Sequence, residues 1–149
     1  AFVFGAPHWI PPVHRIETQI GRHPTDRKRM AVIPKGGKTA VSYFELLNSE
    51  SGISLIRARL ETGRTHQVRV HLSSMGFPLL GDPLYPASSH QKRAISKELE
   101  SWICALPGQL LHARTLGFKH PITGHPIHVV APFPAIWTEL ETKISCPLT

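Results

Sequence analysis

Hydrophobic and polar residues alternate along several short segments in the first 61 residues, which is the pattern of strands with one buried face. The predicted strands cover residues 13–20, 31–33, 40–47 and 53–61. The last two flank the turn sequence NSESG and predict a β-hairpin. In the second of them, Arg57 and Arg59 continue the face begun by Ile53 and Leu55, so this strand brings positive charge to one rim of the sheet.

Apolar residues at i, i+4 and i+7 then predict a helix over residues 66–75. We predict Thr65 as its N-cap and Gly76 as its C-terminal stop. A helix N-terminus presents free N–H groups, and Arg64 lies beside it in the sequence, so this end of the helix favours an anion.

The second half of the chain alternates loops with short elements. We expect a loop over 77–86, a polar surface helix or insertion over 88–104, a hairpin formed by 110–119 and 125–131, and a helix over 134–144. The predicted class is α+β with a mostly antiparallel sheet.

Composition adds a functional constraint, because 149 residues with 41% hydrophobic content fit one folded domain. The net charge is +7, and residues 1–71, with eleven Lys or Arg against five acidic residues, carry +6 of it. Such a basic region is typical of proteins that bind polyanions. No membrane-length apolar run or basic amphipathic helix is visible, so nucleic acid is the leading partner class and a membrane is not expected.

Several chemistries are disfavoured by the residues present. His66 and His71 do not share a helix face, and no zinc-ligand spacing occurs, so no metal site is expected. Two cysteines without a C-x-x-C pattern fit a reducing, cytoplasmic compartment. The aspartates are Asp26, in the basic loop, and Asp82, which we expect to hold a turn in the sequence G-D-P.

Arg69 is the most specific candidate for a functional residue, and two interpretations of its role remain open. It can pair with a carboxylate for stability alone, or it can be mounted on the helix so that its guanidinium reaches into a cleft and binds a carboxylate or phosphate.

Longer motifs in this region carry a family resemblance. The segment TGRTHQVRVH over 62–71, followed by GFPLLGDPLY over 76–85 and then by LHA and HPITG, resembles the RluA-type pseudouridine synthases. Upstream, Met30 to Val32 and Gly37 to Ala40 resemble the segment that precedes that motif in the family. The resemblance extends over essentially the whole chain.

This resemblance implies an enzyme that isomerises uridine to pseudouridine in ribosomal or transfer RNA without a cofactor. It also implies the pseudouridine synthase fold, with a mixed, mostly antiparallel sheet and flanking helices. Arg69 matches the active-site arginine that pairs with the nucleophilic aspartate of the family. That aspartate lies in an H-R-L-D-x-x-T-S-G stretch that this chain does not contain. Ala1, Val3 and Gly5 match the end of a stretch, K-x-Y-x-A-x-V-x-G, whose tyrosine would precede Ala1.

We therefore expect residues 1–149 to be the C-terminal portion of a catalytic domain, inactive alone and monomeric when complete. The alternative is a non-catalytic RNA-binding module that uses the same sheet. In both cases we predict an RNA-binding surface. Its residues are Arg27, Lys28, Arg29, Arg57, Arg59, Arg64, Thr65 and His66.

Overall fold

A computed structural model describes residues 1–9 and 12–144 of the chain. The strands are β1 (Phe2–Phe4), β2 (Val13–Arg22), β3 (Met30–Val32), β4 (Lys38–Glu50), β5 (Ile53–Leu60), β6 (Thr115–Lys119) and β7 (Pro126–Val130). The helices are α1 (Gln67–Ser74), α2 (Ser89–Arg93), α3 (Lys97–Cys104) and α4 (Ala135–Ile144). These elements confirm the predicted α+β class.

Among the described residues, the main sheet has five strands in the order β1-β5-β4-β2-β3, and β6 and β7 form a second, two-stranded sheet. Every strand pair found within the described ranges is antiparallel. The predicted hairpin is β4 and β5, whose register shifts by a bulge between Leu46 and Asn48. A bulge of this kind bends its strand and increases the local twist of the sheet.

Helix α1 packs on one face of this sheet. Val68 and Leu72 lie four residues apart, so both point to the same side and contact Phe44 of β4 and Ile56 of β5. Helix α1 ends at the predicted stop, because Gly76 adopts a φ of 86° that favours glycine.

The opposite face of the sheet is covered by α3 and α4. Phe2 and Leu55 pack there against Leu99, Ile103 and Trp137 in one cluster. The segment 88–104, predicted as a polar surface helix or insertion, does contain helix α3 with exposed polar residues, but Leu99 and Ile103, four residues apart on one face of α3, are buried in the core.

The second hairpin, β6 and β7, is shorter than predicted. Its first strand begins at Thr115 and not at 110, because Leu110 bonds elsewhere. The Leu110 N–H donates to Leu80 O at 2.9 Å, and Leu110 O accepts from Phe2 N at 3.1 Å. In the ranges 1–9 and 12–144, no helix has the length and apolar content needed to cross a membrane.

Candidate functional site

The turn before α1 is fixed to the sheet by one buried amide, that of Gln67. Its Oε1 accepts from Thr62 Oγ1 at 2.8 Å and from the Arg64 N–H at 2.9 Å. Its Nε2 donates to Val41 O at 3.0 Å and to Ser42 Oγ at 2.9 Å. All four hydrogen-bonding positions of the amide are thus used, which sets the path of the turn relative to β4.

The first residue of the helical turn differs from the prediction. The N-cap is His66, with a left-handed φ of 57°, and no side chain in the described part of the chain caps α1, so the prediction of Thr65 as N-cap is wrong. The physical reason is that the side chain of Gln67, the first residue of α1, accepts a hydrogen bond from the Arg64 N–H and so holds the preceding turn in place. His66 is instead held from outside, where its Nδ1 lies 3.1 Å from the Tyr85 hydroxyl.

Arg69 forms a buried, two-bond ion pair with Asp82. Its Nε donates to Oδ2 at 2.8 Å and its Nη2 donates to Oδ1 at 2.7 Å. The side chains are 10% and 0% exposed, respectively. Asp82 Oδ1 also accepts from the Leu84 and Tyr85 N–H groups at 2.9 and 3.1 Å, so Asp82 holds the turn as expected and binds Arg69 as well.

The hydrogen bonds to Asp82 also determine its protonation. Burial by itself raises the pKa of the Asp82 carboxyl, but the hydrogen bonds from Arg69 and from the Tyr85 and Leu84 amides outweigh burial and hold that pKa below its ordinary value. Asp82 is therefore a carboxylate at neutral pH, and it fixes the plane of the Arg69 guanidinium.

One edge of that guanidinium remains available. Within residues 1–9 and 12–144, Arg69 Nη1 has no hydrogen-bond partner, whereas Nε and Nη2 are both bound to Asp82. Because the guanidinium is planar and carries donors on more than one edge, Nη1 can bind a second anion while Asp82 keeps the first edge. Both interpretations of Arg69 left open by the sequence are thus compatible with its geometry.

Tyr85 joins the Arg69 pair to the edge strand β3. Its ring lies 5.1 Å from the guanidinium carbons of both Arg69 and Arg29. Its hydroxyl accepts from Met30 N at 2.8 Å and donates to Met30 O at 3.1 Å. Burial raises the pKa of Tyr85, and burial followed by the Arg69 charge lowers that of His66. Tyr85, which sequence reasoning did not select, is thus central to the cluster.

His71 lies deeper, between α1 and the sheet. Its Nε2 is 2.8 Å from Thr18 Oγ1, and its Nδ1 is 2.9 Å from Ser42 Oγ. Burial lowers the pKa of His71, so the neutral imidazole is favoured in the folded chain. Both ring nitrogens are therefore engaged in holding the helix to the sheet.

The structure separates the predicted RNA-binding residues into groups. Arg64 and Thr65 line a groove of about 340 Å³ together with Arg22 and Lys38, which sequence reasoning did not select as site residues. The Nε of Arg64 donates to Thr39 O at 2.9 Å, which fixes the direction of its side chain.

Other predicted residues are not part of the lining of this groove. Arg27 and Lys28 are exposed in the loop between β2 and β3, whereas Arg29 is half-buried against Tyr85. His66 faces Tyr85 in the Arg69 cluster.

Arg57 and Arg59 are not brought together with this group. They extend from the sheet face opposite α1, where Arg57 pairs with Glu45 at 2.7 Å and Arg59 stacks over the Tyr43 ring at 4.2 Å. Alternation along β5 predicted that they share a face, and the register with β4 confirms it. Alternation could not show which face α1 covers.

The chain is similar to pseudouridine synthases in sequence and fold. The model of the RNA pseudouridylate synthase family matches residues 2–74. An uncharacterized RNA pseudouridine synthase of Synechocystis sp. is 41% identical over 140 residues, which are 93% of this chain and 39% of the relative. The ribosomal large subunit pseudouridine synthase D of Haemophilus ducreyi is 40% identical over 126 residues, 85% of this chain and 38% of the relative.

A solved structure shows the same fold. Human RNA Pseudouridylate Synthase Domain Containing 1 superposes with a TM-score of 0.69 at 24% identity, over 90% of this chain and 53% of that one. The chain thus spans about two fifths of the length of the curated relatives described above.

Proposed function

We propose, since the chain belongs to the RNA pseudouridylate synthase family, that it supplies one wall of an active site that isomerises uridine to pseudouridine in RNA. The observation that carries this proposal is the buried Arg69, mounted on α1 inside the TGRTHQVRVH segment and fixed by Asp82. Asp82 holds one edge of this guanidinium, and Nη1 forms no hydrogen bond with any residue that the structure describes, so Nη1 is suited to bind a reacting carboxylate.

Neither aspartate of the chain is placed to act as the nucleophile of this reaction. Asp82 has a fully buried side chain bound to Arg69 and to two backbone amides, so it cannot reach a nucleoside. Asp26 Oδ1 accepts from Lys28 N at 3.0 Å within the β2–β3 loop, and in the described residues no hydrogen bond or ion pair joins Asp26 to Arg69. We infer that the nucleophile comes from a part of the protein outside these 149 residues, and that these residues alone do not turn over.

In this proposal Arg69 acts on that incoming aspartate through Nη1. A cation beside the carboxylate favours its charged form and fixes its rotamer, so that the carboxylate is ready to attack the nucleoside. Asp82 is a positioning residue, because it orients Arg69 without contacting the substrate. Chemistry on a base requires that the base leave its stack, which the cationic surface near Arg64 assists by binding flanking phosphates.

The proposed substrate is inferred from the charge of the chain and from its relatives. The positive charge of residues 1–71 supports RNA as the substrate, and the name of the Haemophilus ducreyi relative favours ribosomal RNA, with transfer RNA as the other candidate. We propose that the complete enzyme acts as a monomer in the cytoplasm, on RNA and without a cofactor.

A chimera tests the function. These 149 residues would replace the matched 140 residues of the Synechocystis relative, and pseudouridine would be measured by mass spectrometry in ribosomal and transfer RNA that lacks the modification. We expect turnover by the chimera and none by the 149-residue chain. Turnover by the chain alone would contradict the argument about the nucleophile. A folded chimera that binds RNA but forms no pseudouridine would favour the non-catalytic RNA-binding module.

A further inference from the structure

The groove beside the Arg69 cluster is cationic and lined by glycine backbone. Three of its lining side chains are Arg22, Lys38 and Arg64, and among the described residues that line it there is no carboxylate. The three come from separate parts of the sequence. Lys38 lies opposite Ile20 in the β2–β4 register, Arg22 ends β2, and Arg64 lies in the turn before α1.

These cations are available to a ligand. No ion pair is formed by Arg22, Lys38 or Arg64 within the described residues. Arg64 is directed by its Nε bond to Thr39 O, which leaves both terminal nitrogens of its guanidinium without hydrogen bonds in the described part of the chain. Unpaired cations that converge on one concave surface favour an anion.

The glycines of the groove provide a second, independent observation. Gly36 has a φ of 84°, which favours glycine, and a Cβ at Gly21 or Gly37 would lie 2.3 or 2.9 Å from neighbouring atoms. Backbone conformation or close packing therefore explains why glycine stands at these three positions. A Cβ at Gly63 would meet nothing within 4 Å, and Gly63 does not have a left-handed φ. Neither backbone conformation nor packing explains a glycine there.

A ligand that approaches the backbone closely does explain it, because glycine is used where a ligand must contact the main chain. The amide N–H groups of Gly63 and Thr65, both in the lining, donate no hydrogen bond within residues 1–9 and 12–144. Free amides and guanidinium donors around one concavity match the oxygens of a phosphate.

We propose that this groove binds a backbone phosphate of the substrate RNA, gripped by Arg22, Lys38 and Arg64, with the main chain at Gly63 in direct contact. The inference rests on the proposed function for the identity of the polyanion. It adds Arg22, Lys38 and Gly63 to the RNA-binding surface. Since Arg64 lies five residues before Arg69, a phosphate held here would fix the RNA strand beside the reacting uridine.

The experiment measures binding of a fluorescein-labelled RNA hairpin with a uridine in its loop to the 149-residue chain, by fluorescence anisotropy between about 50 and 200 mM salt. Arg22→Gln and Lys38→Gln are each expected to raise Kd about fivefold and to reduce the slope of log K against log salt by about one. The matched control is Arg93→Gln, because Arg93 is an exposed arginine of α2 outside the groove. We expect it to leave the slope within experimental error.

Gly63→Ala tests the close approach without changing charge. We expect about a fivefold higher Kd with a melting temperature that is unchanged or higher, because the added methyl meets only the ligand and alanine restricts the unfolded chain. Gly108→Ala is its control, since a Cβ at Gly108 also meets nothing within 4 Å and Gly108 lies outside the groove. It should bind RNA as the unmodified chain does.

Equal slopes for Arg22→Gln, Lys38→Gln and Arg93→Gln would overturn the inference, as would unchanged binding by Gly63→Ala. Preference of the groove for phosphatidylserine vesicles over the RNA hairpin, lost in the same variants, would also overturn it. The two proposals fail separately. If the chimera makes pseudouridine while the groove variants bind RNA normally, only the proposed phosphate site is refuted. Shifted slopes with an inactive chimera would refute only the enzymatic function.

Discussion

Replacing Asp82 by asparagine removes one charge from a buried pair while keeping the shape of the side chain. In Asp82→Asn, the amide oxygen can still accept from the Leu84 and Tyr85 N–H groups, as Oδ1 does now. The amide nitrogen would face Arg69 Nε, so a 2.8 Å hydrogen bond becomes a donor–donor contact. The guanidinium, only 10% exposed, then lacks its counter-charge.

The expected cost follows from this burial. Removing one partner of a buried ion pair costs about 3–5 kcal/mol of unfolding free energy, because the remaining charge is left desolvated and unpaired. The chain offers a control at the same distance. Arg57 and Glu45 also lie 2.7 Å apart but are 62% and 36% exposed, so Glu45→Gln should cost no more than about 1 kcal/mol.

Urea denaturation followed by circular dichroism measures both variants at neutral pH. If Asp82→Asn costs no more than Glu45→Gln, the reasoning from burial is wrong. A further variant, Arg69→Met in the Asp82→Asn background, removes the unpaired cation and should recover part of the lost stability. A double variant less stable than Asp82→Asn would show that the uncompensated charge is not the cause.

The low pKa of Asp82 also gives this pair a pH dependence. Because the pKa of the carboxyl is lower in the folded than in the unfolded chain, its contribution is fully present above the unfolded pKa of about 3.9 and is lost as the pH falls through the folded pKa. The stability difference between the unmodified chain and Asp82→Asn should therefore shrink below about pH 4.

Three further predictions concern stability. Since burial lowers the pKa of His71, the unfolded chain takes up a proton there at higher pH than the folded chain does, and the free energy of unfolding should fall below about pH 6.5. His71→Gln should reduce this slope of unfolding free energy against pH, as measured by denaturation at several pH values. Tyr85→Phe leaves Met30 N without its 2.8 Å acceptor and should cost about 1–3 kcal/mol, with faster hydrogen exchange of the Met30 amide than in the unmodified chain; unchanged exchange would contradict this hydrogen bond. Gly76→Ala forces alanine to a φ of 86° and should cost about 1 kcal/mol or more in thermal melts, whereas an unchanged melting temperature would argue against the left-handed C-terminus of α1.

Strands β2 to β5 and helix α1 were predictable because their signals are local. Alternation in 13–20 and 53–61 and the apolar spacing in 66–75 depend only on neighbouring residues. The buried face of α3 was missed for the same reason. Its Leu99 and Ile103 are two apolar residues in a polar segment, and only the packing of α3 against Phe2 and Trp137 shows that they belong to the core.

The candidate site was predictable in part. The turn sequence G-D-P indicated that Asp82 binds backbone amides. Its hydrogen bond to Arg69 was not predictable, because it joins residues thirteen positions apart through a loop whose path no local pattern determines. The contact of Tyr85 with Met30 spans 55 residues and depends on the sheet order. The same applies to the groove, because Lys38 and Arg64 converge only through the pairing of β2 with β4 and the turn before α1.

The central claim is that the guanidinium of Arg69, held by Asp82, binds the reacting carboxylate. Arg69→Lys in the chimera tests it most directly, because lysine keeps a cation beside Asp82 but lacks the planar second edge at Nη1. The measurement compares the single-turnover rate of pseudouridine formation with Kd for the same RNA, at a temperature where the variant is folded. We predict a rate loss of about a hundredfold or more, with Kd changed less than about threefold. A folded Arg69→Lys chimera that turns over at the rate of the parent chimera would contradict the claim.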